Sequence, residues 1–248
     1  TGSNMFGGAT IVIDGVRPTI SSFTISPSSS ATYNIGDSFT ITANTSENIQ
    51  SGNNTVVTLD NTTNTTVTLT AASGGTTMVG TYTVAEGNAT NSLAVSSFTT
   101  GTVVDDAGNS MTGTTVPTGS NMFGGATIVI DGVRPTISSV SLSSDNSTLT
   151  VNFSENVYNI SSGSGALENA DFSIEISSGG GATAVAITNT TIGSSASVWD
   201  LTLSYTGTPD GSETITVNPV SDSIYDAAGN AASTSQSNNT ATLGDESG

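Results

Sequence analysis

The chain has 248 residues and only two cationic side chains, Arg17 and Arg134, against twenty carboxylates, for a formal net charge of −18. Such a surface repels polyanions, which argues against nucleic acid or anionic lipid as a partner. The absence of His, Cys and Lys removes disulfide stapling, thiol chemistry, Lys–Asn isopeptide bracing and the usual general bases for a serine nucleophile, so an enzyme is not expected.

The chain opens on TGSNMFGGATIVIDGVRPTISS, and the same 22 residues recur unchanged from Thr118, a period of 117 residues. A period of that size is one all-β domain rather than a solenoid turn, so the chain reads as part of a tandem array. Residues 1–17 have no domain body before them. They read as the terminal strand and linker of a preceding repeat, which implies a longer parent protein. Residues 18–134 then form a first domain and residues 135–248 a second, each long enough to bury an ordinary core.

About a third of the residues are Ser or Thr, Gly and Asn are abundant, and runs of strong helix formers are absent. That mixture suits strands joined by many turns. Period-two alternation predicts strands near 19–26, 38–44, 55–59, 65–71, 77–85, 92–98 and 125–131 in the first unit. In the second it predicts strands near 136–143, 147–154, 171–177, 182–188, 197–205, 212–218 and 239–243. Seven short strands per unit point to two tandem immunoglobulin-like Greek-key β-sandwiches. Trp199, the only tryptophan, lies on an alternating strand and is expected to anchor the second core. No segment approaches the ~20 apolar residues of a membrane span, so no direct membrane insertion is expected. No signal peptide is visible.

Between the units stands DGVRP, at 14–18 and again at 131–135. Proline restrains itself and the residue before it, so the joint reads as short and stiff. Both arginines precede proline, which leaves trypsin no good cleavage site. The paired glycines Gly7–Gly8 and Gly124–Gly125, and the run Gly179–Gly181, read as turns or bulges because no helix follows to make a phosphate site. Sequons such as Asn44, Asn61, Asn64, Asn88, Asn152 and Asn189 are about as frequent as the Asn and Ser/Thr content gives by chance. They permit glycosylation without arguing for it.

Three landmarks occur in both units: DGVRPTIS before the first strand, SEN after the second (Ser46–Asn48 and Ser154–Asn156), and DxAGN before the last. The third reads DDAGN at Asp105–Asn109 and DAAGN at Asp226–Asn230. This set resembles the bacterial Ig-like tandem repeats of large prokaryotic cell-surface proteins, adhesins and surface-layer proteins among them. FSE (Phe153–Glu155) and DAAGNA (Asp226–Ala231) match that style most closely, whereas the first unit has Thr45 where the family often has Phe. The resemblance implies an extracellular structural segment, within a surface lattice or filament. The alternative is a passive adhesin stalk that presents a distal binding domain.

In a sandwich of this type the landmarks converge at the pole where the chain enters. That would gather Asp14, Glu47, Asp105, Asp106 and Asn109 in the first unit, and Asp131, Glu155, Asp226 and Asn230 in the second. Ca²⁺ takes 6–8 oxygen ligands, which carboxylates, Asn and backbone carbonyls supply. The expected device is therefore a rod rigidified by calcium at its domain joints. Two other readings of the same residues stay open. Arg17 and Arg134 lie in the same tracts and could balance the acids, and DxAGN could be turn chemistry alone, with Asp capping amides and Gly at positive φ. Neighbouring copies of the protein are the expected partners, by edge pairing or by exchange of the leading strand.

Overall fold

The computed structural model describes residues 12–118 and 125–248. Among the described residues its regular structure is antiparallel β, with a short 3-10 turn at Asn169–Asp171. The strands are β1 (Ile20–Ser26), β2 (Ala31–Tyr33), β3 (Ser38–Ile49), β4 (Asn54–Leu59), β5 (Thr66–Thr70), β6 (Gly75–Thr83), β7 (Ala89–Thr90), β8 (Val95–Phe98) and β9 (Ile128–Asp131). They continue as β10 (Ile137–Leu142), β11 (Thr148–Phe153), β12 (Phe172–Ile176), β13 (Ala182–Ile192), β14 (Val198–Gly207), β15 (Thr214–Pro219) and β16 (Thr240–Thr242).

Every strand expected from alternation has a counterpart, because most of them bury one face and the side-chain period of two is fixed by the pleat. The differences are local. β2 and β7, three and two residues long, are too short to carry a period. β3 runs on to Ile49, so the first SEN lies inside a strand instead of after it. The closing strand β9 begins at Ile128 and not at 125. Gly7, Gly8 and Gly124, with most of the leading segment 1–17, lie outside the described residues.

Contacts divide the chain into two compact units. One holds residues up to Thr32 with Gly36–Ile130, the other Tyr33–Ile35 with Asp131–Gly248. The first contains a six-stranded sheet in the order β1-β3-β6-β5-β4-β8 and a small sheet β2-β9-β7. The larger sheet is barely continuous at its middle, where β5 and β6 share the single partner pair Thr70 and Val79. Phe23, Phe39, Ile41, Leu59, Leu69, Met78 and Tyr82 are buried in its core. Phe23 meets Phe98 edge to face at 5.7 Å, and Phe39 stacks on Tyr82 at 6.0 Å.

The second unit has a four-stranded sheet, β10-β11-β14-β13, and a three-stranded one, β12-β15-β16. One buried cluster draws Leu149, Val151, Trp199 and Leu201 from the first and Phe172, Ile215 and Val217 from the second. The two sheets therefore enclose a common core, as sandwich layers do. Trp199 is 2% exposed, and its indole N–H donates to the Ala196 carbonyl at 2.9 Å. The single Trp is a core anchor, as its place on an alternating strand implies.

Candidate metal centres

The duplicated segment makes the same contacts at the start of both units. Asp14 Oδ1 accepts the Val16 N–H at 3.0 Å, and Asp131 Oδ1 accepts the Val133 N–H at 3.2 Å. Each Asp thus folds its own DGVRP tract into a tight turn. Ser46 Oγ accepts the Thr19 N–H and Ser154 Oγ the Thr136 N–H, both at 3.0 Å. The N–H groups of the same serines return bonds to the Thr19 and Thr136 carbonyls at 2.9 and 2.8 Å. Ser21 and Ser138 sit where the register of β1 on β3 and of β10 on β11 shifts, and each donates its hydroxyl at 3.0 Å to the facing strand, at the Asn44 and Asn152 carbonyls.

The two DxAGN turns close the frame. Asp105 Oδ1 accepts the Asn109 N–H at 2.7 Å, and Asp226 Oδ1 accepts the N–H groups of Gly229 and Asn230 at 2.6 and 2.8 Å. Gly108 and Gly229 stand at φ +92° and +98°, where a side chain is strained. They differ in surroundings. A Cβ on Gly229 would lie 2.6 Å from the Ser161 carbonyl oxygen, whereas nothing lies within 4 Å of one on Gly108. Gly108→Ala should cost about 1–3 kcal/mol from backbone strain alone. Gly229→Ala should cost more, which paired urea titrations would read directly.

These frames bring the acids together. One carboxylate oxygen each from Asp14, Glu47 and Asp105 lies within 4.8 Å of the others, and Asp131, Glu155 and Asp226 form the matching set. Two oxygens on opposite sides of a calcium ion are about 4.8 Å apart, twice the Ca–O distance of about 2.4 Å. Both sets fit that limit, and their all-oxygen chemistry suits a hard cation. The acids are not relaxed where they stand. Burial, then the charges of Asp226 and Asp131, pushes Glu155 up to about 7. Burial, then Asp14 and Asp105, raises Glu47 in the same way. Among the described residues no hydrogen-bond partner meets the buried Glu47 Oε1. Asp105 shifts the other way: its burial is more than offset by the Asn109 side chain and the surrounding backbone amides, which hold it below the usual range.

The other expected ligands are Asp106, Asn109 and Asn230. Asp106 is exposed and belongs to neither set, because successive residues of the turn point apart. Asn109 turns its amide nitrogen to Asp105 Oδ2 at 2.8 Å and to the Asp14 carbonyl at 3.2 Å. Asn230 does the same to Asp226 Oδ2 at 2.7 Å and the Asp131 carbonyl at 2.9 Å. These N–H contacts orient the acids and tie the entry tract to the turn. The arginines also grip backbone: Arg17 donates to the Ser110 carbonyl at 2.7 Å and Arg134 to the Ala231 carbonyl at 2.6 Å. The serine hooks went unassigned in the sequence, although the recurrence of Ser before Glu–Asn was their signal. Among the sequons, Asn61 and Asn88 are buried and bonded around the Tyr82 hydroxyl. A glycan fits neither in the folded state.

A scan of protein-family models and a search of curated proteins found no match to this chain.

Proposed function

We propose that the chain is a structural segment of an extracellular prokaryotic surface protein, built from tandem Ig-like Greek-key units of the bacterial Ig-like type. Each unit binds one Ca²⁺ at its entry, through Asp14, Glu47 and Asp105 in the first and Asp131, Glu155 and Asp226 in the second. The observation that carries this reading is the recurrence of one three-carboxylate set at equivalent positions of two units whose bodies differ in sequence. A turn motif needs only its Asp and Gly. The Glu of SEN adds nothing to the turn hydrogen bonds, yet in both units it reaches the turn Asp and the linker Asp.

The residue types fit the cation. Burial, and after it the charges of Asp226 and Asp131, raises Glu155, and a divalent ion neutralises most of the charge gathered there. The residues hold it in distinct ways: the DxAGN turn fixes its Asp, SEN brings the Glu, and the DGVRP tract brings an Asp already folded onto its own backbone. Asp131 is also the last residue of β9. A cation held there ties Asp131 to Glu155 and Asp226 of the same unit. The charge of −18 and the scarcity of cations suit a protein that recruits metal from its surroundings.

Calorimetric melting in calcium and in excess chelator tests the proposal. At a calcium concentration 100 times the dissociation constant, binding to the native state alone adds about 2.7 kcal/mol per site. Two transitions that move upward by several degrees in calcium are expected. Melting that is the same in both conditions removes the metal.

A further inference from the structure

The second unit extends the common frame in two places, and the extensions meet. Fifteen residues (157–171) separate SEN from β12, where five (49–53) separate it from β4. The hairpin β13–β14 is also longer than its counterpart β5–β6, with strands of 11 and 10 residues against 5 and 9. Between loop and hairpin lies a cavity of about 420 Å³, walled by Val157 and Leu167 from the loop and by Thr190, Ile192, Ala196 and Trp199 from the hairpin. Backbone bonds hold these walls. The Val157 N–H and the Trp199 indole N–H both donate to the Ala196 carbonyl, at 3.0 and 2.9 Å, and Tyr158 and Tyr225 exchange two bonds of 2.8 Å. The volume falls in the range of small-molecule sites, about 300–1,000 Å³, and loops held on a rigid frame are where such sites lie.

The lining sets the ligand's chemistry. Val157, Leu167 and Trp199 are almost fully buried and present apolar surface, and Ile192, 56% exposed, stands at the mouth. A second hollow of about 370 Å³ shares Leu167 and Thr190 with the first and carries the exposed Glu168. The Thr190 hydroxyl donates to Asn169 Oδ1 at 2.8 Å, so toward a ligand it offers lone pairs only. Asn169 turns its amide nitrogen to the Ile187 carbonyl at 3.4 Å. The one cationic side chain of this unit, Arg134, donates to the Ala231 carbonyl. We infer that the paired hollows bind a small amphipathic amine. Its ring or branched alkyl body fills the apolar cavity, and its ammonium group meets Thr190 Oγ1 and Glu168. Burial of the body beside Leu167 and Trp199 is the main driving force, and the contact with Glu168, lying in solvent, adds at most about fivefold. Anions of the same shape are repelled by a chain of net charge −18. This binding goes beyond the structural role proposed above and does not depend on calcium.

Phenethylamine is the probe, since it is transparent at the wavelengths that excite the single tryptophan. It is titrated into the full chain in calcium and again in chelator, and binding in either buffer suffices, so this test and that of the metal fail separately. Trp199 emission and the amide NMR signals of Val157 and Thr190 should change, with a dissociation constant on the order of millimolar or tighter. Phenylacetate, the same ring with a negative charge, should bind at least about fivefold more weakly, and butylamine, which has no ring, should give no measurable change. Ala166 is exposed and lines the cavity, so Ala166→Phe should block it and remove the response without moving the unit's melting transition. Glu168→Gln should weaken phenethylamine by about two- to fivefold and leave the binding of neutral phenethyl alcohol unchanged, which a merely structural role of Glu168 would not do. No change with phenethylamine in either buffer overturns the inference. So does a response that Ala166→Phe retains, because the amine then sits elsewhere. Equal binding of phenylacetate overturns it too, since the acceptors then play no part.

Discussion

Ile130→Asp is expected to abolish the cooperative melting of the first unit at working temperature, while Ile13→Asp leaves that transition where it was. The substitution and its 22-residue context are the same in both cases, so propensity, local charge and unfolded-state effects cancel from the comparison. What differs is burial. Removing a buried Ile side chain costs about 2–5 kcal/mol in lost transfer and cavity energy. Burying an unpaired carboxylate adds several kcal/mol more, or forces the strand out. A domain of this size is stable by only about 5–15 kcal/mol, so the sum is a large part of the whole. An exposed site carries neither term, and Ile13→Asp should fall within about 0.5 kcal/mol of the parent. Chemical denaturation of the two variants and the parent side by side gives the cleanest reading. Equal losses at the two positions would mean that Ile13 is packed in the folded chain and not exposed as it stands here.

That comparison marks how much the sequence could convey. The strands were legible because Ile, Val, Leu and Phe alternate with Thr and Ser over most of them, and one buried face enforces the period. The convergence of Asp14, Glu47 and Asp105, and of Asp131, Glu155 and Asp226, was legible too. Landmarks repeated between otherwise different bodies are held by shared contacts, and sandwich topology carries linker, second turn and last turn to one end. Finer geometry was not. Nothing in DDAGN distinguishes the Asp that faces inward from the one that faces water, since a single peptide rotation exchanges them. Nor does composition distinguish an Asn that offers its oxygen from one that offers its nitrogen; the choice is fixed by the carboxylate each one faces, Asp105 Oδ2 and Asp226 Oδ2. The continuation of β3 through SEN depends on a register irregularity between Asn44 and Ile49, a tertiary feature without a residue signature.

The second unit supplies its own probe for the metal. Trp199 is the only tryptophan and lies in that unit's core, so its emission follows the Asp131, Glu155 and Asp226 set alone. In chelator, Glu155 has a folded-state pKa of about 7 against the usual 4.5. A raised carboxyl binds its proton more tightly when folded. Its contribution to stability is complete below pH 4.5, declines as the pH rises through about 7, and is absent above. Asp145, Asp210 and Asp245 act in the opposite sense in a lower window. Asp145 is held at about 2 by the Ser143 and Ser147 hydroxyls, and Asp210 and Asp245 are lowered by hydrogen bonds to Ser212 and Ser247. Their contribution is present above about pH 4 and is lost on acidification. Metal-free stability of the second unit should therefore peak near pH 4–5 and fall toward pH 8. Calcium requires the ionised form, so the gain from calcium should be small at pH 5 and largest at pH 8. Glu155→Gln removes the titrating charge and one ligand together. In chelator the variant should lose most of the parent's decline between pH 4.5 and 7, leaving the part that the raised Asp171 contributes, and at pH 8 be more stable than the parent. Its tryptophan-detected response to calcium should be mostly lost, while the calorimetric response of the first unit is kept. A variant that loses stability in chelator at pH 8 would make Glu155 a structural hydrogen-bonding group. One that keeps the full calcium response would remove it from the site.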